Sequence, residues 1–240
     1  MSGHSKWSTI KHKKAKTDAQ RGKQFSKVAK EIVMAAKLGG GDPDQNPRLR
    51  LALQKAKQVN MPNENVKRAV QKGAGGGDES ALEEVTYEAF ASHGVALLIE
   101  ALTDNRHRTV ANIKSILGKG GANMATPGAV SYLFEKKGLF LFEPEVDADK
   151  VIDQATELGA EDVDLKDDDS IEVLTGTTEF ESVKDGFDSA ELVYQSAEIT
   201  MIPSTTIVLS EEDGEKIIAL LEKIEEDDDV QDVYANFDIN

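Results

Sequence analysis

The apolar positions of the first third of the chain recur with a helical period. Phe25, Val28, Ala29, Ile32, Val33 and Ala36 fall at i, i+3, i+4, i+7 spacing and predict a helix from Thr17 or Asp18. Arg21, Lys23, Lys27 and Lys30 lie largely off that stripe, and Gly39 to Gly41 stop the helix. A second helix is predicted from Asn46 as N-cap with Pro47 in the first turn, turning Leu49, Leu53, Ala56 and Val59 inward. A third is predicted from about Asn63 to Gly73, and the run Gly73 to Gly77 reads as a flexible hinge.

Beyond the hinge the period drops to two. Val85, Tyr87 and Ala89 alternate with Glu84, Thr86 and Glu88, which predicts an amphipathic strand, and Val95 to Leu102 reads as a buried one. Asp104 is expected to cap a helix carrying Val110, Ile113 and Leu117. A short strand is predicted at 130–134 and a polar turn at 135–138. Strands at 139–143, 161–165, 170–175 and 196–202, with helices at 147–158 and 179–189, then spell the split βαβ order of a ferredoxin-like module. The chain closes with a strand at 206–209, a helix capped by Ser210, and a strand at 230–235.

The fold class expected is therefore α+β and multidomain: an N-terminal three-helix domain, then two α/β domains, one ferredoxin-like and inserted in the other. The expected boundaries are 1–77 for the helical domain, 81–137 plus 203–240 for the discontinuous α/β domain, and 138–202 for the insert.

Charge changes the picture most. The formal net charge is −16 over 240 residues, yet residues 1–77 hold 17 Lys and Arg against 5 Asp and Glu, net +12. Residues 78–240 hold 11 against 39, net −28. Such segregation suggests a basic module for a polyanion joined to acidic modules that do not bind one. Residues 1–30 contain nine basic side chains, one acid (Asp18) and Trp7, the only tryptophan. The candidate nucleic-acid-binding residues are His4, Lys6, Trp7, Lys11, His12, Lys13, Lys14, Lys16, Arg21, Lys23, Lys27, Arg48, Arg50 and Lys55. Asn105, Arg106 and Arg108 form a second polar cluster at a helix start, open to RNA or to a simple ion pair with Asp104. Lysines outnumber arginines eight to one in residues 1–30, which favours backbone neutralisation over base readout. Trp7 could stack on an unpaired base or pack on the helices.

Other chemistry finds little footing. Without cysteine there is no disulfide, thiolate metal site or Cys nucleophile. The glycine runs lack the Lys-Ser or Lys-Thr of a P-loop, and there is no H-E-x-x-H, nucleophile elbow or dinucleotide fingerprint. The acidic run Glu225 to Asp229 lacks EF-hand spacing and reads as a solvated helix end. No cofactor, no metal, no membrane association and no catalysis are expected, and the chain is expected to be a cytoplasmic monomer.

Seven stretches carry a family resemblance: Gly3-His4-Ser5-Lys6-Trp7, the KLGGGDP of 37–43, Asn46-Pro47-Arg48-Leu49-Arg50, the LTDNRHRT of 102–109, the GAVSYLFEKKG of 128–138, the SAEITMIP of 196–203 and the DVQDVYA of 229–235. In this order they resemble the YebC family, also called the translational activator of cytochrome oxidase family. His107 departs from it, standing where the family has Asn. The resemblance implies three domains and a role in gene expression. One form is a DNA-binding transcriptional regulator; the alternative is a ribosome-associated translation factor that binds ribosomal RNA and relieves stalling at proline runs. With the GHSKW motif starting at the third residue, a bacterial member is expected.

Overall fold

The computed structural model describes residues 18–75, 82–166 and 168–239, with side chains from Gly22 onward. It is α+β and falls into two compact units, one formed by 132–206 and the other by the described residues on either side of it.

The larger unit opens with α1 (Asp18–Gly39), α2 (Pro47–Gln58) and α3 (Asn63–Ala74). The predicted stripes meet: Ile32, Val33 and Ala35 pack with Leu49, Ala52, Ala56, Met61 and Ala69, and Phe25, Val28 and Leu53 lie against them. Asn46 locks the α1–α2 corner. Its Oδ1 accepts the Leu49 N–H at 3.0 Å as an N-cap, while its Nδ2 donates to the Ala35 and Gly40 carbonyls, both at 2.8 Å. One buried amide thus caps the start of α2 and the end of α1, where helices leave orphan donors and acceptors.

Gly73 corrects the hinge expectation. It lies inside α3, and a Cβ there would sit 2.3 Å from the Val33 carbonyl and 2.7 Å from the Ala36 Cβ. The glycine lets two helix backbones approach, a use that composition cannot tell from flexibility. Residues 76 and 77 lie outside the described residues.

The same unit continues with β1 (Glu83–Phe90), β2 (Ala96–Thr103), α4 (Arg106–Lys119) and the short β3 (Asn123–Met124). The N-cap of α4 is Asn105, not Asp104: the Asn105 Oδ1 accepts the Arg108 N–H at 3.1 Å. Glu88, expected on the solvated face of its strand, is buried and accepts the backbone N–H groups of Gly128, Val130 and Ser131. Burial pushes its carboxyl up, and these hydrogen bonds outweigh that and hold it below the usual carboxylate range.

The smaller unit contains β4 (Phe134–Phe142), α5 (Ala148–Glu157), β5 (Asp162–Leu165), β6 (Ile171–Thr175), α6 (Phe180–Ser189) and β7 (Ser196–Pro203). Its antiparallel sheet has the order β5-β6-β4-β7, the ferredoxin-like arrangement. Phe140 and Phe142 pack on Phe187 with ring centroids 5.1 and 5.2 Å apart, and Phe140 stacks on Phe180 at 5.0 Å.

Here the short strand expected at 130–134 and the turn at 135–138 are both corrected. Residues 131–133 form a 3₁₀ turn, and β4 runs straight through the polar segment, with Glu135, Lys136 and Lys137 paired to Ile202, Met201 and Thr200. The backbone ladder accepts these polar residues because Glu135 and Lys136 stay exposed and Lys137 pairs with Glu135 and Glu161. Gly138 belongs there because a Cβ would fall 2.2 Å from the Thr175 Oγ1.

The chain returns to the larger unit as β8 (Ile207–Leu209), α7 (Glu211–Glu225), β9 (Val230–Ala235) and β10 (Phe237–Ile239). Strand β9 completes an antiparallel sheet of order β3-β1-β2-β9, and β8 pairs in parallel with β10. Leu97, Ile99 and Val233 of the sheet bury against Ile113 and Leu117 of α4 and Ile217, Leu221 and Ile224 of α7.

Asn46→Ala should destabilise the larger unit by about 2–4 kcal/mol, since it removes a cap and strands two carbonyls. Asn46→Asp should rescue little of this, because it restores the acceptor and neither donor. Urea unfolding followed by circular dichroism, with an unchanged m-value, measures both.

Candidate nucleic-acid interface

The candidate residues His4, Lys6, Trp7, Lys11, His12, Lys13, Lys14 and Lys16 lie outside the described residues, and Arg21 is described only as a backbone position in α1. The others have definite surroundings. Along one face of α1, the Lys23 Nζ donates to the Glu226 carbonyl at 3.0 Å and the Lys27 Nζ to the Glu225 carbonyl at 2.7 Å. Lys30 reaches the Asp228 carbonyl and the Asp229 Oδ1, both at 2.7 Å. Lys23 and Lys27 therefore meet the C-terminus of α7, and Lys30 meets the segment just beyond it. The last carbonyls of that helix lack helical partners and carry the negative end of the helix dipole.

Arg48 works differently. It makes a two-pronged ion pair with Glu31 of α1, through Nε–Oε1 at 2.8 Å and Nη2–Oε2 at 3.2 Å, and also holds Glu84 of β1. That ties α1 and α2 to the sheet. Arg50 donates to the Pro43 and Asp44 carbonyls at 3.3 Å, and Lys55 is exposed on α2.

The second polar cluster is drawn together by a residue that sequence reasoning passed over. Asp229, expected within a solvated helix end, is buried with 4% of its surface exposed. Its Oδ1 takes Lys30, and its Oδ2 accepts the Arg108 Nη2 at 2.6 Å, the Thr109 hydroxyl at 2.8 Å and the Thr103 hydroxyl at 3.3 Å. Arg108 also pairs with Asp104 at 2.8 Å, whereas Arg106 pairs with Glu83 at 2.7 Å. The only advance signal for Asp229 is its place immediately before a strand, where the chain must turn inward.

Burial works to raise the Asp229 pKa. Hydrogen bonds from Lys30, Arg108 and Thr109 outweigh it and hold the carboxyl at about 2.

Between α1, α3 and the 225–229 segment lies an open cleft of about 1000 Å³. Phe25, Val33 and Met61 are among its apolar lining; Arg68 and Lys72 of α3 line it as well, and so do Glu226, Asp227 and Asp228. Lys30, Arg108 and Asp229 are also at its edge, already paired with one another.

The depressed Asp229 pKa sets a direction for acid sensitivity. A carboxyl whose folded pKa lies below its unfolded value stabilises the fold above the unfolded pKa, and this is lost as pH falls through the folded one. The stability difference between the native chain and Asp229→Asn should therefore be full at pH 6 and shrink by about 2 kcal/mol between about pH 4 and pH 2. Urea melts of both proteins across that range test it, and a pH-independent gap would contradict the charge assignment.

Comparison with known proteins agrees with this architecture over its whole length. A family model described as "TACO1/YebC protein N-terminal domain" matches residues 5–76, and one described as "TACO1/YebC second and third domain" matches 82–237. A protein of Citrifermentans bemidjiense named "Probable transcriptional regulatory protein" is 52% identical over 240 residues, covering 100% of this chain and 97% of that one. One of the same name from Hahella chejuensis is 49% identical over 239 residues, covering 100% and 96%. The crystal structure of a conserved hypothetical protein from Aquifex aeolicus superposes with a TM-score of 0.87 at 45% identity, covering 98% of each chain. In sequence motifs, domain order and three-dimensional fold, this chain belongs to the TACO1/YebC family.

Proposed function

We propose that the chain is a nucleic-acid-binding regulator of gene expression and acts as a DNA-binding transcriptional regulator. The observation that carries this reading is the segregation of charge, net +12 in residues 1–77 and net −28 in the remainder. A basic module releases condensed counterions when it neutralises phosphates, and its affinity falls steeply with salt. The acidic remainder repels the same polyanion, which confines contact to one end of the chain. The name shared by the relatives supports regulation as the setting. In this reading the domains are 1–77, 81–137 with 203–240, and 138–202, and only the first grips phosphate.

A second reading has its own observation. Trp7 within a lysine-rich arm offers a stacking surface for an unpaired base, and the eight-to-one excess of lysine over arginine suits backbone contact more than guanine readout. Both favour RNA, and with it a ribosome-associated translation factor.

Full-length protein presented with purified ribosomes and duplex DNA together, at physiological salt, separates the two. Duplex preference supports the transcriptional reading, and ribosome capture supports the translational one. Replacing Lys11, Lys13 and Lys14 together by Gln should weaken binding to the preferred target at least tenfold. Unchanged binding would mean that the lysine-rich segment carrying these three residues does not hold nucleic acid.

A further inference from the structure

The charges of the helical domain are unequally committed, and this locates the surface left for phosphate. On α1, Lys23 and Lys27 donate to carbonyls at the α7 terminus, and Lys30 donates to the Asp228 carbonyl just beyond it and pairs with the buried Asp229. On α2, Arg48 is held by two glutamates and Arg50 by two carbonyls. For any of these to bind a phosphate, an internal contact must first be given up.

Helix α3 is the contrast. Lys67, Arg68 and Lys72 are all exposed. Arg68 donates to the Asn65 side chain one turn back at 3.2 Å and has no carboxylate partner among the described residues; nor has Lys72. Lys67 has only an i,i+3 approach to Glu64 at 3.5 Å, with both side chains more than two-thirds exposed, a geometry that holds little energy.

Arg68 and Lys72 stand at i,i+4, one above the other on one side of the helix. Like charges at that spacing destabilise a helix by about 0.2–0.5 kcal/mol unless something neutralises them. Here they line the same cleft as the apolar Phe25 and Met61. A row of uncommitted donors beside an apolar ledge suits a polyanion whose backbone runs along the row.

We propose that Arg68 and Lys72, with Lys67 adjoining, form the phosphate-contacting row of the helical domain, and that the lysines of α1 serve to hold α1 on α7. The inference rests on the second of the two readings above, the one that favours RNA, and names the site within it. The row accepts the backbone of a single-stranded nucleic acid, with Arg68 at the end of the row nearer the start of α3. The acidic Glu226, Asp227 and Asp228, which line the same cleft, bar a second strand from it by charge repulsion.

The test compares the full-length native chain, Arg68→Gln/Lys72→Gln, and Lys23→Gln/Lys27→Gln. The probes are an unstructured RNA of about 30 nucleotides and a duplex DNA of about 30 base pairs, titrated across a salt series with thermal melts of each protein alongside. For the α3 variant, the slope of log K against log salt on RNA should shrink by about 1.4, with affinity down at least tenfold and the melting temperature unchanged. The α1 variant should show the converse, a lowered melting temperature with the native slope. A native slope in the α3 variant, with the native chain binding normally, overturns this assignment and leaves the broader reading standing. A native chain that binds neither probe overturns both. Stronger loss on the duplex than on RNA by the α3 variant would overturn the single-strand assignment of the row.

Discussion

A buried carboxylate needs partners, and Asp229 finds them on two different helices. Lys30 comes from α1 and Arg108 from α4, while Thr109 and Thr103 satisfy the rest of Oδ2. An ionised group so placed is tolerable only when every partner is in position, and removing one partner of such a pair typically costs about 3–5 kcal/mol. The position of α1 against the sheet, and the entry of the chain into β9, are therefore tied to one side chain. The neighbouring carbonyls of α7 add the Lys23 and Lys27 contacts to the same seam.

This arrangement divides the protein's positive charge into two kinds. Some of it closes the molecule on itself, as Arg48 does between Glu31 and Glu84. Other cationic side chains, such as Arg68 and Lys72 of α3, are exposed and have no carboxylate partner among the described residues. A count of lysines and arginines cannot separate these kinds, because an ion pair and a waiting phosphate site use the same residue types. Only the position of an acidic partner, often more than a hundred residues away, distinguishes them.

The ferredoxin-like unit shows a different economy. Its helices and sheet are joined by an aromatic core in which Phe140 touches Phe180, Phe187 and Tyr194, and its buried Glu172 is paired with Lys166 at 3.0 Å. Its sequence is rich in carboxylates. Within the larger unit, the cationic helices meet acidic side chains through short-range contacts at a few named residues.

Periodicity in the sequence sufficed for the helices α1 to α3, the βαββαβ order of the insert and the α+β class. These depend on side chains a few positions apart, which share a face whatever the rest of the chain does. The caps of α2 and α7 at Asn46 and Ser210 were legible for the same reason. Tertiary structure alone decided that Gly73 is a contact and no hinge, that β4 continues through Glu135 to Gly138, and that Asp229 is a buried hub. Each of these is settled by an atom distant in sequence: the Val33 carbonyl, the β7 ladder and the Lys30 ammonium. Local pattern carries no record of such partners, because a glycine, a polar run and an aspartate look the same whether they meet water or another part of the chain.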